Sequence, residues 1–149
     1  MGKYRMYSLV LRQLSPIQKG VQSAHSIVEY IRNFAKSSEC IQWVTVDKTI
    51  IMLDGGTYQE MKECRDTLTD LGVPYMAFYE KDLGNIVTSI SFLVEDKVWD
   101  TKNYPSYEEE LDDLDVDSDS PMDPLWLIMM GGKRNLAFRN FLKSKRLSM

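Results

Sequence analysis

Lys19, Gln22 and His25 fall within one stretch, SPIQKGVQSAHS, and Asp82, Asn85 and Thr88 within another, KDLGNIVTSI. These are the residue types that move protons, hold anions and orient polar substrates. Lys19 near the positive end of a helix has the chemistry of an oxyanion or phosphate ligand, and a solvated surface lysine is the other reading. His25 is the only histidine; it is either a site imidazole or a half-buried side chain with one nitrogen satisfied. Asp82 is the best acidic candidate, although aspartate two residues before glycine also starts turns. Gln18 stands three residues after Ser15, where a capping-box side chain belongs, and that reading precedes a catalytic one. Cys40 and Cys64 lie far apart without metal-ligand spacing, so they read as buried thiols, with no zinc site or disulfide framework.

The elements that must position these groups follow from patterning. Residues 4–12, YRMYSLVLR, are rich in aromatic, branched and long apolar side chains and read as a mostly buried strand. Ser15 then suits an N-cap and Pro16 the first helical position. Ile17, Val21, Ala24, Val28, Ile31 and Ala35 recur at helical steps to about Lys36, predicting an apolar stripe packed on a sheet. Residues 42–53 read as a second strand, with a hairpin about Asp47 and Lys48 as an option, followed by Gly55 and Gly56. Thr57 and Glu60 form a capping box, and Met61, Cys64, Leu68 and Leu71 a helical stripe that stops at Gly72 before Pro74. Residues 73–79 and 86–94 predict two further strands. The short turn between them makes the last strand antiparallel. The order β-α-β-α-β-β implies an α/β/α sandwich around a mixed, mostly parallel sheet of about four strands.

A chain of 149 residues can bury one sizeable core. Three segments are expected: an α/β domain over residues 1–100, an acidic linker over 101–124, and an apolar segment with a basic helix over 125–149. Net charge is −4, but it is unevenly spread. Residues 103–132 carry acidic side chains and no basic one, whereas residues 133–149 carry Lys and Arg and no acidic one. Two placements are open for the basic helix: it grips a nucleic-acid backbone, or it folds back with Leu136, Phe138, Phe141 and Leu142 on the core. No run of about 18 apolar residues is present, and the N-terminus lacks the features of a signal peptide, so a cytoplasmic protein without a membrane partner is expected.

Several weak motifs fall in one order. KTIIMLDGG, a helix ending in Leu71-Gly72-Val73-Pro74, a strand, then Asp82-Leu83-Gly84 resemble the middle of the type II peptidyl-tRNA hydrolases. Gln22 and His25 resemble that family's glutamine-x-x-histidine on the first helix. The likeness covers about residues 4–94. It implies hydrolysis of the ester joining a peptide to the terminal ribose of tRNA, no metal or other cofactor, tRNA as partner, and often a homodimer. It further implies catalytic roles for Lys19, His25 and Asp82, and substrate contacts from Gln18, Gln22, Asn85 and Thr88. The family's lysine position falls on Gln18, one residue before Lys19, and no second glycine follows Asp82. A catalytically inactive relative that binds RNA, a nucleotide or a protein is the alternative.

Overall fold

The computed structural model describes residues 2–112 and 123–148; residues 113–122 of the expected acidic linker lie outside them. Four strands form one sheet: β1 (Tyr4–Leu11), β2 (Ile50–Gly56), β3 (Met76–Glu80) and β4 (Ile86–Glu95). Their spatial order is β2-β1-β4-β3. β1 and β2 pair in parallel, while β4 is antiparallel to both β1 and β3. The fold is thus α/β as expected. Three strands point the same way, but only one ladder is parallel, because the last strand inserts between β1 and β3.

Helices cover both faces: α1 (Pro16–Phe34) and α2 (Ser38–Gln42) on one, α3 (Tyr58–Asp70) and α7 (Lys133–Lys143) on the other. Short helical turns α4 (Asp96–Trp99), α5 (Glu109–Asp112) and α6 (Leu125–Met129) complete the chain. Among the described residues, no helix is long and apolar enough to cross a membrane.

The α3 face is apolar. Met61, Cys64 and Leu68 of α3 pack with Tyr7, Leu9, Leu11, Leu53, Ile90, Phe92 and Val94 of the sheet and with Phe138 of α7. Thr57 and Glu60 make the reciprocal capping bonds that the sequence predicts, each at 3.2 Å. Gly55 is required by close approach, since a Cβ there would collide with the sulfur of Met61.

The α1 face differs from the expected one. Ile17, Val21 and Val28 are 79%, 42% and 61% exposed, and the residues turned inward are Lys19, Gln22, Ser23, Ser26, Ile27 and Tyr30. The reason lies in the strands beneath. β1 and β4 present Ser8, Thr88, Ser89 and Ser91 to α1, and all four are fully buried. Ser91 Oγ lies 2.6 Å from both Ser8 Oγ and Ser26 Oγ, and Ser89 Oγ donates to the Gln22 carbonyl at 2.5 Å. A buried hydroxyl needs a partner, so the first half of α1 turns its polar side to these strands, while Ile27, Tyr30, Ile31 and Phe34 of its second half pack with Met6, Cys40, Trp43 and Leu93 in a separate apolar cluster.

The second strand is also shorter than residues 42–53. Ser37 Oγ caps α2 by accepting from the Cys40 amide, and residues Trp43–Asp47 continue as a wide helical turn ending at Lys48 with φ 57°. Trp43 is locked there, its indole donating to the Thr49 carbonyl at 2.8 Å. No hairpin forms about Asp47.

The C-terminal segment folds back onto the sheet, with Phe138 in the main core and Phe141 and Leu142 against it. Two of its arginines act structurally. Arg134 donates to the Leu71 and Gly72 carbonyls at the end of α3, and buried Arg139 donates to the Val98 and Lys97 carbonyls at the end of α4. Phe138, Phe141 and Leu142 therefore share the core of the α/β domain, while Leu127, Met130 and Leu136 form a smaller apolar cluster with Tyr104 and Trp126.

Candidate functional site

Because β1, β2 and β3 run in the same direction, their C-terminal ends lie at one edge of the sheet, together with the N-terminal ends of α1 and α3. In open α/β sheets this edge is where ligands bind. Lys19, Gln22 and His25 from α1 meet it, as do the turn Lys81–Leu83 after β3 and the start of β4.

The centre of the site is Gln22. Its Nε2 donates to Glu80 Oε2 at 3.1 Å, and its Oε1 accepts from Thr88 Oγ1 at 2.7 Å. A bulge aims Thr88. Phe78 pairs with Ser89 and Tyr79 with Val87, leaving Thr88 opposite no residue of β3. Val87 faces the apolar core while Thr88 and Ser89 both reach α1. Such bulges redirect one side chain at the cost of a ladder bond.

Glu80 is the carboxylate that joins this cluster. Hydrogen bonds from the Gln22 side chain and the Asp82 amide, together with the charge of His25, hold it below the ordinary glutamate range. His25 lies exposed on α1 with its ring stacked on Phe78, centroids 4.5 Å apart and planes 8° from parallel. Asp82 is exposed, and its backbone amide donates to Glu80 Oε1 at 3.3 Å. Asn85 is a turn residue, with φ 61° and its amide donating to the Glu80 carbonyl; asparagine tolerates this left-handed geometry. Gln18 lies exposed in the first turn of α1, its amide donating to Ser15 Oγ at 3.2 Å.

Lys19 lies on the other side of the edge, toward β2. It is buried, and its charge acts on Asp54. Burial pushes the Asp54 carboxyl up, but hydrogen bonds from Arg12 and the Gly56 amide, with the charges of Arg12 and Lys19, outweigh it and hold the group below its ordinary range. The Arg12 Nε to Asp54 Oδ2 distance is 2.8 Å. The structure thus brings Gln22, His25 and Thr88 together and sets Lys19 beside Asp54. Sequence reasoning missed Glu80, Asp54 and Arg12. The triplet Glu80-Lys81-Asp82 held two acids, and the strand end decides between them: Glu80 is the last residue of β3 and faces Gln22.

Cys40 and Cys64 are buried, and burial raises both thiols. Among the described residues, no group of three His, Cys, Asp or Glu is placed to hold a metal ion. No protein-family model matches this chain, and no curated protein matches it.

Proposed function

We propose that this protein hydrolyses the ester between a peptide and the terminal ribose of tRNA at the edge where α1 begins. The observation that carries this reading is the convergence of Gln22, His25, Glu80 and Thr88, with Lys19 three residues before Gln22 on the same helix. Ester hydrolysis by water requires a base, a group that holds that base, and positive charge for the developing oxyanion. His25 takes a proton from the attacking water as its oxygen bonds to the acyl carbon. The bond to the ribose oxygen then breaks, and the same proton passes to that oxygen. Glu80 stabilises the imidazolium, and the Gln22–Thr88 pair fixes Glu80 in place. Lys19 and the positive end of α1 supply the charge that the oxyanion and the neighbouring phosphate require.

A second reading is a non-catalytic module of the same fold that binds RNA or a nucleotide. It is favoured by Gln22, whose amide is already bonded at both ends, and by Lys19 lying beside an ionised Asp54.

Incubating the purified chain with peptidyl-tRNA and following peptide release separates the two. The hydrolase reading expects turnover that falls by about 10²-fold or more in His25→Ala, the range for loss of a general base, and a smaller fall in Glu80→Gln. A folded wild-type chain that binds tRNA but releases no peptide establishes the second reading instead.

A further inference from the structure

The two edges of the sheet end differently. At β2 the chain covers its own edge: Leu147 pairs antiparallel with Leu53, the Asp54 amide donates to the Arg146 carbonyl at 2.7 Å, and the Ser148 amide donates to the Met52 carbonyl at 2.9 Å. At the opposite edge β3 pairs with β4 on one side only. Its inward backbone groups are identified by their partners: the Phe78 carbonyl accepts from Thr88 Oγ1 at 3.4 Å, and the Glu80 carbonyl from the Asn85 amide at 2.9 Å. Backbone groups alternate sides along a strand, so the amides and carbonyls of Ala77 and Tyr79 turn outward. Among the described residues these four groups have no hydrogen-bond partner. Met76–Glu80 also holds no lysine or proline, the residues that blunt an edge against a further strand.

This edge leads directly into the site. Glu80 is its last residue, and His25 stacks on Phe78 from the α1 side. On the α3 side the hydroxyls of Tyr75 and Tyr79 are bonded to Thr69 and Arg65, each at 2.8 Å. The side chains of β3 are thus engaged by its own helices, and what remains open is backbone. A peptide whose C-terminal ester lies at His25 and Glu80 must run toward the end of β3, which makes it parallel to that strand. The peptide residue level with Phe78 then donates to the Ala77 carbonyl and accepts from the Tyr79 amide, and the residue level with Glu80 donates to the Tyr79 carbonyl. That last residue carries the ester, whose acyl carbon comes level with Glu80 at one strand spacing, about 4.8 Å, outside β3.

We infer that the outer edge of β3 binds the peptide part of the substrate as an added parallel strand, with Ala77 and Tyr79 as its backbone partners. Pairing of this kind draws affinity from the main chain, which suits substrates whose peptides differ in sequence. The position of the ester rests on the hydrolase reading; the open edge is independent of it.

The probe is acetyl-pentaalanine joined by an amide to the 3′-amino analogue of adenosine, which has no ester to hydrolyse. It is titrated into the full chain, with amide exchange followed by NMR. Saturation is expected to slow exchange of the Ala77 and Tyr79 amides by about 10-fold or more. N-methylation of the last and third-from-last alanines removes both donated bonds and is expected to weaken binding by about 10-fold or more. The same change at the second- and fourth-from-last alanines, whose amides face away from β3, leaves affinity nearly unchanged. No binding of the probe, equal affinity of the two methylated forms, or unchanged exchange at Ala77 and Tyr79 overturns the inference. So does a dimer in sedimentation whose Ala77 and Tyr79 amides are protected without the probe, because a second copy then occupies the edge. If the probe binds in the expected pattern while peptidyl-tRNA is not cleaved, the peptide site stands and the hydrolase reading falls. If peptidyl-tRNAs carrying the two methylation patterns are cleaved with equal kcat/KM, the hydrolase reading stands and the peptide site falls.

Discussion

The two faces of the sheet hold their helices by different physics. Ser91 and Phe92 are neighbours on β4, yet Ser91 sits in a chain of hydroxyls under α1, whereas Phe92 packs between Tyr7 and Phe138 under α7. The apolar face gains from the area it removes from water. The polar face gains little net energy per hydrogen bond, but leaving one unmade is costly, so its partners are fixed in position. Small serines also let α1 lie close to the strands. The first half of α1, which carries Lys19, Gln22 and His25, is therefore oriented by directional bonds, while Ile27 and Tyr30 anchor its second half in an apolar cluster, and a site that depends on geometry benefits from both.

This contrast can be broken residue by residue. Phe92→Ala should produce the largest loss, about 3–5 kcal/mol in denaturant unfolding, as for a large aromatic removed from a packed core. Ser91→Ala should cost less, about 1–3 kcal/mol, because it strands the hydroxyls of Ser8 and Ser26 rather than opening a void. A loss as large as that of Phe92→Ala would show that the two faces are not energetically distinct. Thr88→Val keeps the shape and removes the bond to Gln22 Oε1. A stability change of about 1 kcal/mol is expected, accompanied by a fall in peptidyl-tRNA turnover larger than that of Ser91→Ala at equal folded fraction.

Acid titration sharpens the comparison at the sheet edge. Asp54 and Glu80 are both depressed in the folded chain. A depressed carboxylate contributes stability that is present above its unfolded pKa, near 4, and is lost as pH falls through the lower folded value. Urea midpoints should thus decline with acidification below about pH 4. Asp54→Asn should flatten part of that decline, by about 1 kcal/mol or less for a half-exposed ion pair. The smallest effect belongs to the exposed stripe: Ile17→Ser and Val28→Ser should each change stability by about 0.5 kcal/mol or less. A loss of several kcal/mol at either would place that stripe in a core it does not join here.

Much of the frame was legible in local sequence. Ser15-Pro16 and Thr57-x-x-Glu60 start their helices because caps satisfy amides within one turn. The stripe Met61, Cys64, Leu68 faces the core because the strands opposite it are apolar. The stripe on α1 misled for the converse reason. Periodicity reports how a helix is divided into faces, and only the opposing surface decides which face is buried. Glu80 was hidden similarly, since Glu80 and Asp82 are chemically alike and two residues apart.

Sequence alone determined the helix starts, the strand segments of β1, β3 and β4, the turn at Gly84 and Asn85, and the presence of Lys19, Gln22 and His25 on one helix, because each depends on contacts within a few residues. Tertiary structure decided the rest. The insertion of β4 between β1 and β3, the bulge that turns Thr88 toward Gln22, and the return of the tail along β2 to set Arg146 beside Asp54 all join residues far apart in the chain. Hydrogen bonds across such distances are chosen by which donors and acceptors the folded sheet brings within reach, and no local pattern encodes that choice.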